Sequence, residues 1–291
     1  MPRILPPEGT RPVLAFSITV DRDSLPNPEA FAAVHEAFCE RYQGRLKWFA
    51  NGDRNKLVPF RVQQAKWPRT RLAKPARDDA LWITHDGDDL RGFGTALLKA
   101  WACIRDRDAH FLFCSVPPTV EDRAWLWAQA FALADEVPIF QGAMGLSLPM
   151  SARTDLDEIA QQTQQVLRFP GIETAKQALS TENLRTVNWI TFVSDGLLAR
   201  VGDLAALQRQ LAPPIQWHRV RDGWAIQAGP DPLPGDVNRG DNLPLYRKVA
   251  RVLRPVRATL YPSVSRDDLE SAAWYARFDG ADDDLAPPEP P

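Results

Sequence analysis

The sequence predicts an α+β fold, with mixed or antiparallel sheets and helices packed on them. Apolar runs rich in β-branched and aromatic residues, such as 187–193, are typical of strands buried on at least one face. Capping residues precede segments with apolar residues at helical spacing, as at Asn27 and Thr119. Strands and helices alternate irregularly, without the repeating βα unit of a doubly wound sheet. The 291 residues suffice for one large domain or two lobes.

The first half of the chain is predicted to begin with a strand at 13–20 and a helix that starts at Asn27-Pro28 and ends before Gly44. The side chains expected on the buried face of this helix are Phe31, Val34, His35, Phe38 and Tyr42. Residues 53–80 show no clear pattern. The further elements expected in this half are strands at 46–50, 81–84, 93–101 and 110–116, and a helix from the Thr119/Asp122 capping box to about residue 134.

The second half is predicted to begin with an irregular, glycine-containing stretch at 138–149. The elements expected after it are a helix at 154–167, a strand at 187–193, a helix capped by Asp203, a hairpin at 217–227, a loop at 229–242, a helix at 243–254 and a last helix after Ser265. The 243–254 helix should begin at an Asp241 or Asn242 cap. Its inward side chains should be Leu243, Tyr246, Val249, Ala250 and Leu253, and its outward ones Arg247, Lys248, Arg251 and Arg254.

We expect one domain at 12–278, and the stretch 138–153 is the best candidate for a division into two lobes. Residues 279–291 have the acidic, proline-rich composition of a disordered tail. The three cysteines, Cys39, Cys103 and Cys114, show no disulfide spacing, and no segment resembles a signal peptide or a membrane span. These features predict a cytoplasmic protein that makes no contact with a membrane.

Residues 41–77 are basic, although the net charge of the chain is −2. Trp48, Phe49, Phe60 and Trp67 are interleaved with the cationic residues. Such a pattern indicates either contact with nucleic acid or a solvated basic face whose aromatic side chains point inward. The negative net charge favours the second interpretation, so nucleic acid is an unlikely partner.

Searches for catalytic patterns give no complete match. The segment Gly145-Leu146-Ser147-Leu148-Pro149 lacks the last glycine of a nucleophile elbow. His35 and Cys39 lie one helical turn apart, but no third metal ligand accompanies them, which favours core residues. Asp86-Gly87-Asp88-Asp89 begins like a calcium loop and lacks its later residues. We therefore expect no enzyme activity, no cofactor and no bound metal, and we interpret 86–89 as an exposed acidic turn.

Four segments of the last third form a recognisable set. They are Thr186-Val187-Asn188-Trp189, Ile226-Gln227-Ala228-Gly229, the loop from Gly235 to Asp241, and the Tyr246–Arg257 helix. Together with the closing Trp274-Tyr275-Ala276-Arg277-Phe278-Asp279, they resemble the TsiV family of type VI secretion immunity proteins. The resemblance is dense over the last third and diffuse over the first 180 residues.

The resemblance implies a protein that binds a secreted effector toxin, a nuclease being the expected kind, and neutralises it by stoichiometric occlusion. Because a nuclease cleft holds phosphates and is basic, carboxylates are its natural complement. The expected partner-binding residues are therefore Asp86, Asp88 and Asp89 in one cluster, and Asp236, Asn238, Arg239 and Asp241 in another. The polar residues of the second cluster could equally pin the loop to the sheet. The alternative function is a nucleic-acid-associated accessory protein that uses the basic 41–77 face.

Overall fold

In the part of the chain that the computed structural model describes, the strands form one mixed sheet. The described residues are 12–20, 27–51, 57–73, 80–87, 96–104, 110–149, 165–173, 182–258 and 273–279. Within them the strands are β1 (Val13–Val20), β2 (Trp48–Asn51), β3 (Val58–Pro59), β4 (Ala80–His85), β5 (Lys99–Ile104), β6 (His110–Val116), β7 (Ile139–Ser147), β8 (Ile172–Glu173), β9 (Ile190–Ser194), β10 (Gln216–Val220) and β11 (Gly223–Gln227).

The strand order is β10-β11-β9-β7-β1-β6-β5-β4-β2-β3, and β8 pairs with β7 beside this path. Neighbours along the path are antiparallel, and only the short β7–β8 pair among the described strands is parallel. The predicted α+β class with a mixed or antiparallel sheet is therefore confirmed. The first of the described strands, β1, lies at the centre of the sheet, between β6 and β7.

The described helices are α1 (Pro28–Tyr42), α2 (Trp67–Leu72), α3 (Val120–Glu136), α4 (Asp195–Val201), α5 (Leu204–Gln210) and α6 (Pro244–Val252), with 3-10 turns at Val62–Lys66, Val237–Arg239 and Arg254–Val256. Helices α1 and α3 pack on each other, and α3 contacts β1 and β6. Alternate side chains of β1, such as Phe16 and Ile18, are buried in the same core as Phe31 and Phe38 of α1 and Leu126 of α3.

Three predicted helix starts are confirmed by side-chain caps. Asn27 accepts a hydrogen bond from the Glu29 N–H, and Thr119 accepts one from the Asp122 N–H. Asp203 accepts one from the Ala206 N–H at 2.8 Å. Each cap satisfies an N–H that the first helical turn leaves without a partner.

The interpretation of 138–149 as irregular is wrong, because β7 occupies most of it and pairs with β1 along its length. Its glycines permit close packing instead of breaking the strand. A Cβ at Gly142 would lie 2.7 Å from the Ser17 carbonyl oxygen, and one at Gly145 would lie 2.1 Å from Asn188 Oδ1. The suggested lobe division at 138–153 stays a prediction, and its described part lies within the sheet.

Helix α6 differs from the prediction at two points. Its N-cap is Leu243, in the left-handed region at φ 49°, and not Asp241 or Asn242. Arg247, predicted to face outward, is buried. The predicted inward side chains are buried as expected. Strand boundaries also differ: the strand expected at 187–193 begins at Ile190, and the one expected at 93–101 begins at Lys99.

The end of the described chain folds back onto the family-like segments. The isolated bridge between Leu184 and Arg257 joins the chain before β9 to the chain after α6. Arg257 Nη1 binds Asp279 Oδ1 at 2.6 Å, so the first residue of the expected tail is held by an ion pair. The remaining tail residues and most of the two helices expected at 154–167 and after Ser265 lie outside the described residues, in which 273–275 form a helical turn.

Candidate partner-binding loop

The loop 229–242 crosses one end of the sheet between β11 and α6 and is fixed to it at several points. Gly229 O accepts hydrogen bonds from buried Trp189 Nε1 at 2.9 Å and from Gln227 Nε2 at 2.8 Å. The Leu233 N–H donates to the hydroxyl of Tyr246, and Pro234 O accepts from the Gly171 N–H. The loop is therefore ordered by contacts with β11, α6 and the turn before β8.

Asp236 is the polar anchor of this loop. Arg168 donates from Nε and Nη2 to its two carboxylate oxygens at 3.3 and 3.2 Å. Asp236 Oδ1 also accepts from the Asn238 N–H at 3.0 Å, which starts the 3-10 turn. The Arg168 hydrogen bond and these further contacts lower the pKa of the Asp236 carboxyl. Asp236 therefore points into the protein and stabilises the loop.

The tip of the loop faces solvent. Asn238, Arg239 and Asp241 are exposed, and the side chain of Arg239 is 85% exposed. The backbones of Asp236 and Asp241 bond to each other in both directions, which closes the tip into a narrow turn. Gly240 has φ 76°, a left-handed conformation that favours glycine. The second predicted cluster thus divides into one inward anchor and three outward side chains.

The first predicted cluster is described only in part, because Asp88 and Asp89 lie outside the described residues. Asp86 is not the exposed carboxylate that the sequence suggested, since only 12% of its side chain is exposed. Its Oδ1 accepts from the Leu98 N–H at 2.9 Å, and Arg45 lies 3.4 Å from Oδ2. Burial raises the pKa of Asp86. Asp86 therefore closes the connection between β4 and β5, and its contact with a partner stays a prediction.

The segment at 186–189 makes internal contacts. Thr186 Oγ1 accepts from Arg277 Nη2 at 2.8 Å, and Asn188 Oδ1 accepts from the Trp189 N–H at 2.7 Å. Asn188 Nδ2 reaches Leu146 O on β7 at 3.4 Å. These polar side chains of a family-like segment connect β7, the approach to β9 and the last described segment.

Arg277 ties the last described segment to the rest of the fold. Its guanidinium carbon lies 4.0 Å from the Trp274 ring centroid and 4.6 Å from that of Phe278. It also donates from Nε to Pro170 O at 3.0 Å. Burial lowers the pKa of Arg277 to about 10. The closing motif therefore holds the last described segment against the rest of the fold.

The described part of the basic 41–77 stretch pairs much of its charge internally. Arg41 binds Asp122 at 3.2 Å, and Arg69 binds Glu36 at 2.9 Å. Phe49 is buried and packs edge-on against Trp67. The inward aromatic side chains favour the solvated-face interpretation of this stretch.

His35 and Cys39 are buried in the core beside Thr84. His35 Nε2 lies 2.9 Å from Thr84 Oγ1, and Nδ1 lies 3.2 Å from Ala65 O. Burial lowers the pKa of His35 to about 4 and raises that of Cys39 to about 12. Within the described ranges, no three His, Cys, Asp or Glu side chains form a group that could hold a metal. This site therefore links α1 to β4 and to the Val62–Lys66 turn.

The fold and the loop define an α+β protein that presents a pinned, polar turn at one end of a broad sheet. The family model described as TsiV, type VI immunity for VRR-NUC, matches residues 30–278. The chain belongs to this family of type VI immunity proteins.

A solved structure, the Pseudomonas aeruginosa T6SS protein PA0821, is similar to the chain with a TM-score of 0.79 and 19% sequence identity. The alignment covers 95% of this chain and 84% of that chain, and at this identity the likeness supports the fold alone. No curated protein matches the sequence. None of the helices in the described ranges has the length and apolar character needed to cross a bilayer.

Proposed function

We propose that this chain binds a type VI effector carrying a VRR-NUC nuclease domain and blocks the access of nucleic acid to the nuclease cleft. The family match over residues 30–278 carries this proposal, because the family is described as immunity for VRR-NUC. The chain acts by occupancy and catalyses no reaction. Its place of action is the cytoplasm, where a delivered nuclease meets nucleic acid.

The outward tip of the 229–242 loop is one proposed contact. A turn that is already held in the free protein loses little conformational entropy on binding. Asn238, Arg239 and Asp241 can exchange hydrogen bonds and ion pairs with a partner, whereas Asp236 supports them from beneath. Asp88, Asp89 and the enclosed Asp86 stay proposed contacts with an effector.

The test is co-expression of this chain with a type VI effector toxin that carries a VRR-NUC domain and is encoded in the same genome. Rescue of growth, recovery of a complex, and complete inhibition of the purified nuclease at one molar equivalent support the proposal. Absence of both rescue and complex, with two folded proteins, would refute it. If a small fraction of one molar equivalent of this chain inactivated all of the toxin over time, the chain would instead be acting as an enzyme.

A further inference from the structure

A groove of about 290 Å³ opens beside the first turn of α3. Leu14 of β1 and Leu146 of β7 are direct cross-strand neighbours and contribute to its wall. The remaining lining residues are Pro118, Thr119, Val120, Arg123, Asp231 and Pro232. The groove therefore joins the sheet, α3 and the candidate partner-binding loop, and most of its lining is apolar.

Two strongly exposed apolar side chains accompany this groove. Val120 is 73% exposed and lines it, and Leu233, 49% exposed, follows the lining residue Pro232. Within the described part of the chain, the other exposed large apolar residues are Val62 at 62% and Val237 at 42%. Single exposed apolar residues are ordinary, whereas an apolar groove with exposed apolar side chains at its edge is typical of a protein-binding site.

The charged side chains described at and beside this groove (its rim), Glu121, Arg123 and Asp231, sum to a negative charge. Arg123 forms an ion pair with Asp231, and its guanidinium lies 6.0 Å from the Trp189 ring centroid. Its charge is thus matched within the chain. Glu121 is exposed on the same turn of α3, and 56% of the Asp231 side chain is exposed. Glu121 is not a lining residue but directly follows Val120, so the first turn of α3 and Asp231 together carry two carboxylates and one guanidinium.

We propose that this groove docks the basic, nucleic-acid-binding face of the effector nuclease, through an apolar side chain with a neighbouring Lys or Arg. The inference rests on the proposed function and assigns it a surface. A protein that binds phosphates presents Lys and Arg, which the acidic rim attracts. A second copy of this chain fits less well, because a two-fold contact would place the acidic rims against each other.

The test compares Val120→Lys with Val62→Lys in binding to the VRR-NUC effector that the wild-type chain neutralises, purified in a catalytically inactive form. Both valines are exposed, so neither change should alter the melting temperature. We expect Val120→Lys to raise the dissociation constant about tenfold or more, as the loss of an interface anchor does. Val62→Lys should leave the dissociation constant unchanged. Equal binding by the two variants would overturn the docking site while leaving the proposed function intact.

A charge reversal tests the rim. Glu121→Lys should slow association at low salt, and the effect should fade as salt is added, whereas Glu40→Lys on the exposed side of α1 should have no effect. An unchanged association rate for Glu121→Lys would overturn the electrostatic part of the proposal. If the wild-type chain forms no complex with the toxin, the proposed function fails, and the docking site fails with it.

Discussion

Arg168 holds both carboxylate oxygens of Asp236, a residue 68 positions later in the chain. This pair joins the helical turn before β8 to the loop that separates β11 from α6. The polar motif of this loop is thus held on its inner side by an arginine, and this contact supports its outward side chains.

Asp236→Asn should lower the melting temperature clearly, because it removes the charge that faces the mostly enclosed Arg168 side chain. Asn238→Ala, two residues away and exposed, should leave the melting temperature unchanged. Thermal melts of both variants check this. Equal stability of the two would mean that the Arg168 contact contributes nothing to the fold.

Arg277→Gln should destabilise the protein by roughly 2–4 kcal/mol, since it removes charged hydrogen bonds to Thr186 and Pro170 and the ring contacts with Trp274. The exposed Arg254→Gln serves as the matched control and should change stability little. Urea unfolding measures both. A mild effect of Arg277→Gln would show that the contacts of the closing motif contribute little to the stability of the fold.

Asp279→Asn should lower the melting temperature, because the Arg257 side chain is only 7% exposed and would lose its charged partner. Truncation immediately after Asp279 should have almost no effect, since the removed residues have a composition that cannot form a core. Melting of the two proteins distinguishes the anchor from the tail. A large loss on truncation would show that the tail docks on the fold.

Val249→Asp should unfold the protein or make it insoluble, because it places a charge at a fully buried position of α6. Lys248→Asp changes the neighbouring, partly exposed position and should be mild. Soluble yield and far-UV circular dichroism report the difference. Comparable behaviour would mean that α6 packs through another face.

His35 should make the protein less stable in acid. Its pKa is about 4 in the folded chain against an ordinary value of 6.5, so above pH 6.5 both states are neutral and the group contributes no pH dependence. As the pH falls from 6.5 to 4, His35 becomes protonated in the unfolded chain but stays mostly neutral in the folded chain. The free energy of unfolding therefore falls by about 3 kcal/mol in total.

His35→Gln removes this titration and should flatten the unfolding free energy between pH 6.5 and 4, even if it lowers stability at pH 7. Urea unfolding across that range provides the measurement. Parallel pH profiles for the wild type and the variant would contradict a buried, neutral His35.

Local signals in the sequence predicted local structure well. The caps at Asn27, Thr119 and Asp203 depend on contacts within three residues, so the sequence around each contains the necessary information. The strand β7 escaped detection because Gly142 and Gly145 are typical of turns, and their real role is to admit Ser17 and Asn188 from neighbouring segments.

The candidate site was predicted less completely, because its geometry depends on distant partners. The sequence around Asp236 gives no indication that Arg168 binds its carboxylate. The sequence around Asp86 likewise gives no indication of its hydrogen bond from the Leu98 N–H. The groove at Val120 was missed as well. Its signal was an apolar residue directly after the Thr119 cap, outside the buried stripe of α3, but its wall comes from β1, β7 and the 231–232 loop.

The central place of β1 also governs how the chain is made. Among the described strands β1 is synthesised first, yet the two strands that flank it end at Val116 and Ser147. The backbone N–H and C=O groups along its two edges therefore stay unpaired until synthesis has passed Val116 on one side and Ser147 on the other, a state that invites aggregation. Long-range pairing of this kind slows folding. Newly made chains are thus the form most prone to aggregation. The amount of folded protein depends on folding and on chaperone capacity as well as on translation.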